Sequence, residues 1–211
     1  MMMDWVALCE KYHLPDHVTG VLHCGAHLAE EAADYDEAFG PGACVWWIEA
    51  NPGVVGQIRE TLRPYPNQFL IAALLADVDG EEREFHVTNY DGMSSSLLEF
   101  GTHPEFSPDT VFVRHLRMKT HTVDTVIAGL PGIEAINMLV MDLQGAEGMC
   151  LAGAKGLLPS IDFVMSEVNK AEVYKGCVKV DELDRVLSDF DRVETLWVSN
   201  FGWGDALWVR R

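Results

Sequence analysis

Between Val18 and Ala76 the apolar residues alternate between two periods, and this alternation restricts the fold more than any other feature of the chain. Val18 to Cys24, Ala43 to Ile48 and Gln68 to Ala76 are short, nearly continuous apolar runs, as in strands buried on both faces. Between the first two, Leu28, Ala32, Tyr35 and Phe39 recur at i, i+4, i+7 and i+11, one face of a helix. Gly40-Pro41-Gly42 stops that helix. Asn51-Pro52 opens the next, because asparagine caps and a proline at the first helical position gives up no needed N–H. Val55, Ile58 and Leu62 form its apolar stripe, and Pro64 and Pro66 end it. Strand, helix, strand, helix, strand implies a parallel sheet with right-handed crossovers.

The pattern resumes downstream. Asn137 to Met141 and Ile161 to Met165 read as further buried strands, the first ending at Asp142 and the second running to Glu167. A helix is expected over Gly145 to Leu158, and Leu183, Val186, Leu187 and Phe190 form a second helical stripe. Asp4 to His13 reads as a short opening helix, while Glu84 to Thr88 and Val111 to Thr122 look extended. The tail, VETLWVSNFGWGDALWVR, reads as two strands in a hairpin around Asn200-Phe201-Gly202-Trp203-Gly204. Asn89 to Asp109 is polar and aperiodic, a loop long enough to be functional. With no repeat and no linker, the expected plan is one domain over residues 1–211, with a helical extension over 1–17 and an active-site loop over 89–110.

The 33 acidic residues outnumber the 15 lysines and arginines, a formal charge of −18. Such a surface repels nucleic acid and anionic membranes, leaving a small molecule as the expected partner. No apolar run reaches the roughly 20 residues of a membrane helix. The N-terminal segment lacks the basic start of a signal peptide. Five cysteines without a CxxC pair argue against a zinc cage and for a reduced, cytoplasmic setting. Self-association into a homo-oligomer stays open.

In an open parallel sheet, ligands bind beyond the carboxyl ends of the strands. Four such ends carry polar groups here: His23-Cys24-Gly25-Ala26-His27, Glu49, Asp142-Leu143-Gln144-Gly145 and Glu167-Val168-Asn169. Gly25 permits close backbone approach, and a helix after it would offer unpaired N–H groups. The sequence from Gly25, G-A-H-L-A-E, lacks the later glycines of a dinucleotide fingerprint, and its glutamates would repel a pyrophosphate. A ligand with a cationic end, such as S-adenosylmethionine, suits this turn better than NAD. Glu49 ends the second strand, where an acid can accept both hydroxyls of a ribose. Asp142 and Glu167 close neighbouring apolar strands. They suit a general base, or oxygen ligands of Mg²⁺ with Asn169 as a third, while Asp142 also suits capping of the helix that follows. His103, in the polar loop, is a candidate base beside the plainer reading of a surface histidine. Ser94-Ser95-Ser96 lacks a G-x-S-x-G elbow, which argues against a serine hydrolase.

The succession VLHCGAHLAEEAADY, VWWIEANP, IAALLADVDG, FHVTN…SSSL, THTVDTV, VMDLQGAEGMCLAGA and EVNKAEVYKG resembles the FkbM-type family of S-adenosylmethionine-dependent methyltransferases. The similarity runs from about Val21 to Phe190, and the DLQGAE…LAGA and SSSL elements are its most specific parts. It implies a class I methyltransferase fold: Rossmann-like α/β, a mostly parallel seven-stranded sheet with helices on both faces and an antiparallel C-terminal hairpin. It also implies O-methylation of a hydroxyl on a sugar, polyketide or other natural product. Carried onto this chain, Gly25, Ala26 and His27 would line the methionine end of the cofactor, beside His23. Glu49 would hold the ribose, and Ala73 and Leu74 would lie near the adenine. Asp142, Gln144 and Glu147 would form the catalytic end, with Ser94, Ser95 and Ser96 covering cofactor or substrate. Position 23 is His where such enzymes often carry an acid, and Ala29 replaces a frequent glycine. These departures keep a non-catalytic binding module as the alternative, ahead of an NAD-dependent oxidoreductase.

Overall fold

The structure is a computed structural model that describes residues 3, 5–198 and 201–211. Its centre is a sheet of seven strands: β1 (Gly20–Cys24), β2 (Cys44–Glu49), β3 (Gln68–Ala72), β7 (Met138–Met141), β8 (Phe163–Asn169), β9 (Phe190–Trp197) and β10 (Trp203–Arg210). A smaller sheet holds β4 (Leu74–Leu75), β5 (Glu82–Thr88) and β6 (Phe112–His121). The large sheet runs β3-β2-β1-β7-β8-β10-β9. Neighbours from β3 to β8 pair parallel, and β10 lies antiparallel between β8 and β9. This is the mostly parallel α/β sheet with a C-terminal hairpin that the sequence implies. Because the chain winds outward from β1 to β3 and then returns to β7, the strand order reverses between β1 and β7. Their carboxyl ends therefore open onto the crevice where such sheets bind ligands.

Alternate residues of the central strands feed two apolar layers, as a period of two requires. Leu22, Ile48, Leu139, Val164 and Trp208 face one way, toward α5 (Val123–Ile127), α6 (Glu147–Ala152) and α7 (Val180–Val186). Val21, Trp47, Val140, Met165 and Leu207 face the other, toward α1 (Trp5–Tyr12), α3 (Ala32–Phe39) and α4 (Val55–Leu62). A short α2 (Leu14–His17) leads into β1. Each fully buried aliphatic side chain contributes about 1.5–3 kcal/mol, so the sheet is rigid where the site is built. Trp47 satisfies its indole N–H on Gln68 Oε1 at 2.9 Å, and Gln68 Nε2 donates to Ala32 O.

The expected elements differ from the observed ones where turn geometry overrides periodicity. The helix after β1 begins at Ala32, because residues 25–31 form a folded turn first. The third strand breaks at Ala73, whose N–H bonds Glu49 O, and Leu74–Leu75 joins the small sheet instead. The helix expected over 145–158 is only Glu147–Ala152. Phe190 opens β9 and does not extend the last helical stripe. The unforeseen α5 is capped by Thr122, whose Oγ1 accepts the N–H of Thr125. Asp4 and the hairpin residue Asn200 lie outside the described residues. Among the described residues no helix is long and apolar enough to cross a membrane.

Candidate active site

The turn after β1 is folded inward. Gly25 has φ 94°, and a Cβ there would stand 1.9 Å from Asp142 O, so the ends of β1 and β7 approach as only glycine allows. Gly25 N and Ala26 N both donate to Ile48 O, His27 N to Glu49 Oε2 and Leu28 N to Glu30 Oε2. The unpaired N–H groups expected of a helix start here are thus used within the fold. His27 and Ala29 also take left-handed backbone, φ 45° and 55°, a conformation that glycine adopts at lower cost. That explains why glycine suits position 29, and the turn absorbs the strain of alanine.

The side chains of this turn carry its chemistry. His27 Nδ1 lies 2.7 Å from Glu30 Oε1. That hydrogen bond raises the pKa of His27 against the opposing effect of burial, while Nε2 is buried without a hydrogen-bond partner. Glu49 is 8% exposed and accepts Asn51 N on one oxygen at 2.6 Å and His27 N on the other at 2.9 Å. Burial raises its pKa, and the two backbone N–H groups resist the rise. Each oxygen keeps a second lone pair for a ligand. His23, 2% exposed, stacks on Trp47 at 4.5 Å and meets Tyr35 Oη through Nδ1 at 3.0 Å. Burial lowers its pKa, so a neutral imidazole stands at the end of β1.

The second half of the site surrounds Gln144, itself left-handed at φ 55°. Its Nε2 donates to Asp142 Oδ1 at 2.6 Å and to Glu167 Oε2 at 2.9 Å, while its Oε1 accepts the hydroxyl of Tyr174 at 2.6 Å. Glu167 is 5% exposed, and its pKa is pushed well above the carboxylate range by burial and then by Asp142, Glu147 and Asp205. That shift favours the protonated form, and Gln144 Nε2 already occupies Oε2, so Glu167 is the weaker of the two carboxylates as a general base. The Mg²⁺ arrangement does not fit, because an amide N–H₂ already lies between Asp142 and Glu167. Asn169 is 1% exposed, lies outside the cavity lining and has both amide atoms unpaired.

Glu147 also departs from expectation. It is fully buried and away from the cavity, and its Oε1 accepts Leu143 N at 2.9 Å and Gly145 N at 3.2 Å. It clamps the loop that carries Gln144, whereas the start of α6 has no side-chain cap from Asp142.

From the long loop, Ser94 and Ser95 reach the cavity, and Ser96 does not. Ser96 is 1% exposed, pairs its backbone with His86 and donates Oγ to Gln144 O at 2.8 Å. His103 is 5% exposed, so the surface reading fails. Its ring stacks on Phe100 at 4.3 Å, its Nδ1 has no partner, and burial lowers its pKa.

One cavity of about 690 Å³ connects these groups, within the range of small-molecule sites. Gly25, Ala26, His27, Glu49, Ala73 and Leu74 line it, as do His23, Asp142, Gln144, Glu167 and His103. Sequence reasoning missed Tyr174, Phe201, Trp203 and Asp205. Asp205 faces Glu167 across the β10–β8 register, a pairing that hairpin alignment alone could have suggested. Six lining residues are acidic (Glu30, Glu31, Glu49, Asp142, Glu167 and Asp205), and none is Lys or Arg.

Comparison with known proteins agrees with this frame. A curated relative, the 2-O-methyltransferase NoeI of Sinorhizobium fredii, is 27% identical over 194 residues, covering 89% of this chain and 76% of that protein. The crystal structure of Methyltransferase FkbM from Methylobacillus flagellatus superposes with a TM-score of 0.57 at 15% identity, over 90% of this chain and 43% of that one. A SAM dependent methyltransferase from Aquifex aeolicus gives 0.54 at 11% identity, over 100% and 91%. The two superpositions establish the fold. The family model described as the Methyltransferase FkbM domain matches residues 23–194, from the end of β1 into β9, and the chain belongs to that family of methyltransferases.

Proposed function

We propose that this protein transfers a methyl group from S-adenosylmethionine to a hydroxyl oxygen of a small acceptor that is neutral or cationic. The observation that carries the reading is the acidic, lysine- and arginine-free cavity joining Glu49 to the Asp142–Gln144–Tyr174 cluster. A sulfonium cation suits that lining, and the two phosphates of NAD do not. An acceptor bearing phosphate or carboxylate is disfavoured for the same reason. The name of NoeI supports oxygen as the methylated atom.

The cofactor, when bound, supplies a methyl group on a positively charged sulfur. Glu49 would accept the ribose hydroxyls with its remaining lone pairs. His27, held by Glu30, would donate Nε2–H to the carboxylate of the methionine part. Ala73 and Leu74 would give the adenine an apolar wall. Asp142 would take the proton of the acceptor hydroxyl, oriented by Gln144, which Tyr174 fixes in turn. His103, neutral and unpaired at Nδ1, would accept a hydrogen bond from the acceptor, beside Ser94 and Ser95. Much of the rate would come from holding oxygen and methyl in line.

The same reading takes residues 1–211 as one methyltransferase domain, with 1–17 as an extension and 89–110 shaping the acceptor side. The cysteines are unpaired, which suits a reduced, cytoplasmic setting.

Thermal unfolding with S-adenosylmethionine, S-adenosylhomocysteine or NAD tests the cofactor. At 100 times its Kd a native-state ligand adds about 2.7 kcal/mol, which for a chain of this size raises Tm by about 5–10 °C. We expect that rise with both adenosyl compounds and none with NAD. No rise with either would leave a non-catalytic binding module. His27→Ala is expected to raise KM for S-adenosylmethionine about tenfold, with kcat little changed, as loss of one charge-assisted hydrogen bond does. In the wild type, affinity is expected to fall as pH rises through the raised His27 pKa. A pH-independent affinity identical in His27→Ala would remove this role.

A further inference from the structure

We propose that Glu84, His86 and His115 form a binding site for a late first-row divalent cation, Zn²⁺ by preference, on the face of the small sheet turned away from the methyltransferase cavity. The strand pattern places it. Successive side chains on β5 point to opposite faces, so Phe85 lines the cavity while Glu84 and His86 project from the other side. His115 stands directly opposite His86 on the antiparallel β6. Two strands thus deliver three donors to one point, a juxtaposition that neither strand shows alone. No short ligand-spacing motif links positions 86 and 115, which is why the sequence hides it.

The distances suit a coordination sphere. His86 Nδ1 and His115 Nδ1 are 2.8 Å apart. Glu84 Oε2 lies 3.5 Å from His115 Nδ1 and 3.8 Å from His86 Nδ1. With metal–ligand bonds of about 2.0–2.1 Å, the donors of a tetrahedral zinc stand about 3.3 Å from one another. The three separations bracket that value. Without a cation, the two ring nitrogens can share only one proton, and the ion contacts of Glu84 among the described residues are to these histidines.

The donor set selects the metal class. Two imidazoles and one carboxylate favour zinc, copper or nickel over magnesium or calcium, which prefer oxygen. His86 is 7% exposed and packs against Phe112 at 4.9 Å, which fixes its ring. The side chains of Glu84 and His115 are 53% and 51% exposed, leaving the cation an entry path and a fourth position for water.

Occupancy would staple β5 to β6 next to the loop over the cavity. His86 exchanges backbone hydrogen bonds with Ser96 at 2.8 and 3.0 Å, and Ser96 Oγ holds Gln144 O. The site stands independently of the methyltransferase reading.

The test uses the full chain, stripped with EDTA and dialysed, then exposed to Zn²⁺, Co²⁺ or Mg²⁺ alone. The expected result is about one equivalent of Zn²⁺ retained per chain, a raised Tm with Zn²⁺ but not Mg²⁺, and visible d–d absorption from bound Co²⁺ of a nitrogen–oxygen site without thiolate charge transfer. His86→Ala risks misfolding, so the exposed positions carry the test. His115→Ala is expected to weaken Zn²⁺ binding by more than about 100-fold, beyond what loss of an outer-shell partner costs, and Glu84→Gln by less. Both should keep the wild-type Tm in EDTA. Failure to retain Zn²⁺, or equal affinity in wild type, His115→Ala and Glu84→Gln, would overturn the site.

Discussion

Asp142→Asn is expected to lower kcat by about 10²–10⁴-fold, the contribution of a positioned general base, while binding of S-adenosylhomocysteine stays within a few-fold of wild type. The substitution is isosteric, so Oδ1 can still accept Gln144 Nε2 while the side chain loses its basicity. The backbone is held independently, by Asp142 N on Cys24 O and by the close approach of Gly25. Glu167→Gln is the control. Burial and the neighbouring acids favour the protonated form of Glu167, so replacing it with a neutral amide is expected to cost far less turnover. Steady-state rates on both variants, with thermal shifts to verify the cofactor site, check the pair. Unchanged kcat in Asp142→Asn would move the base to His103, whose Nδ1 is neutral and has no partner.

The two carboxylates read alike in the sequence, each closing an apolar strand, and only the packing separates them. Strand identity and order from β1 to β3, the β7 and β8 segments and the C-terminal hairpin were legible because burial on both faces leaves unbroken apolar runs. The turn over residues 25–31 was not, since His27 and Ala29 adopt a left-handed backbone that their side chains do not announce. Helical spacing from Leu28 to Phe39 therefore suggested a helix start four residues too early. The strand-end residues His23, Gly25, Glu49, Asp142 and Gln144 do meet at one cavity, because topology places strand ends there whatever the loops do. Glu147, Ser96 and Asn169 do not, because a residue in a motif can serve the loop and not the ligand. Tyr174 was hidden for the opposite reason. It follows β8 in a segment without periodicity, and its role comes from reaching Gln144 across 30 residues of chain.

Glu147→Gln is expected to change how stability depends on pH by about 3 kcal/mol. Burial raises the pKa of Glu147 from the ordinary 4.5 to about 7, against the two backbone N–H groups that its Oε1 accepts. A raised carboxylate works opposite to a salt-bridged one. Between about pH 4.5 and 7 the native state holds a proton that the unfolded chain has released, so this group's contribution falls as pH rises and levels off above 7. At about 1.4 kcal/mol per pKa unit, a window of about 2.5 units amounts to about 3 kcal/mol. Glutamine keeps the acceptor for Leu143 N and Gly145 N but cannot ionise, and its amide N–H₂ replaces an oxygen that is already buried without a partner. Relative to wild type, the variant should therefore gain most of this ~3 kcal/mol between pH 5 and pH 8. Urea unfolding of both proteins at the two pH values reads the difference directly, and the shared contribution of Glu167 cancels to first order. A stability difference that does not move with pH would mean that Glu147 is already ionised in the fold. The clamp on the Gln144 loop would then be a carboxylate beside Asp142.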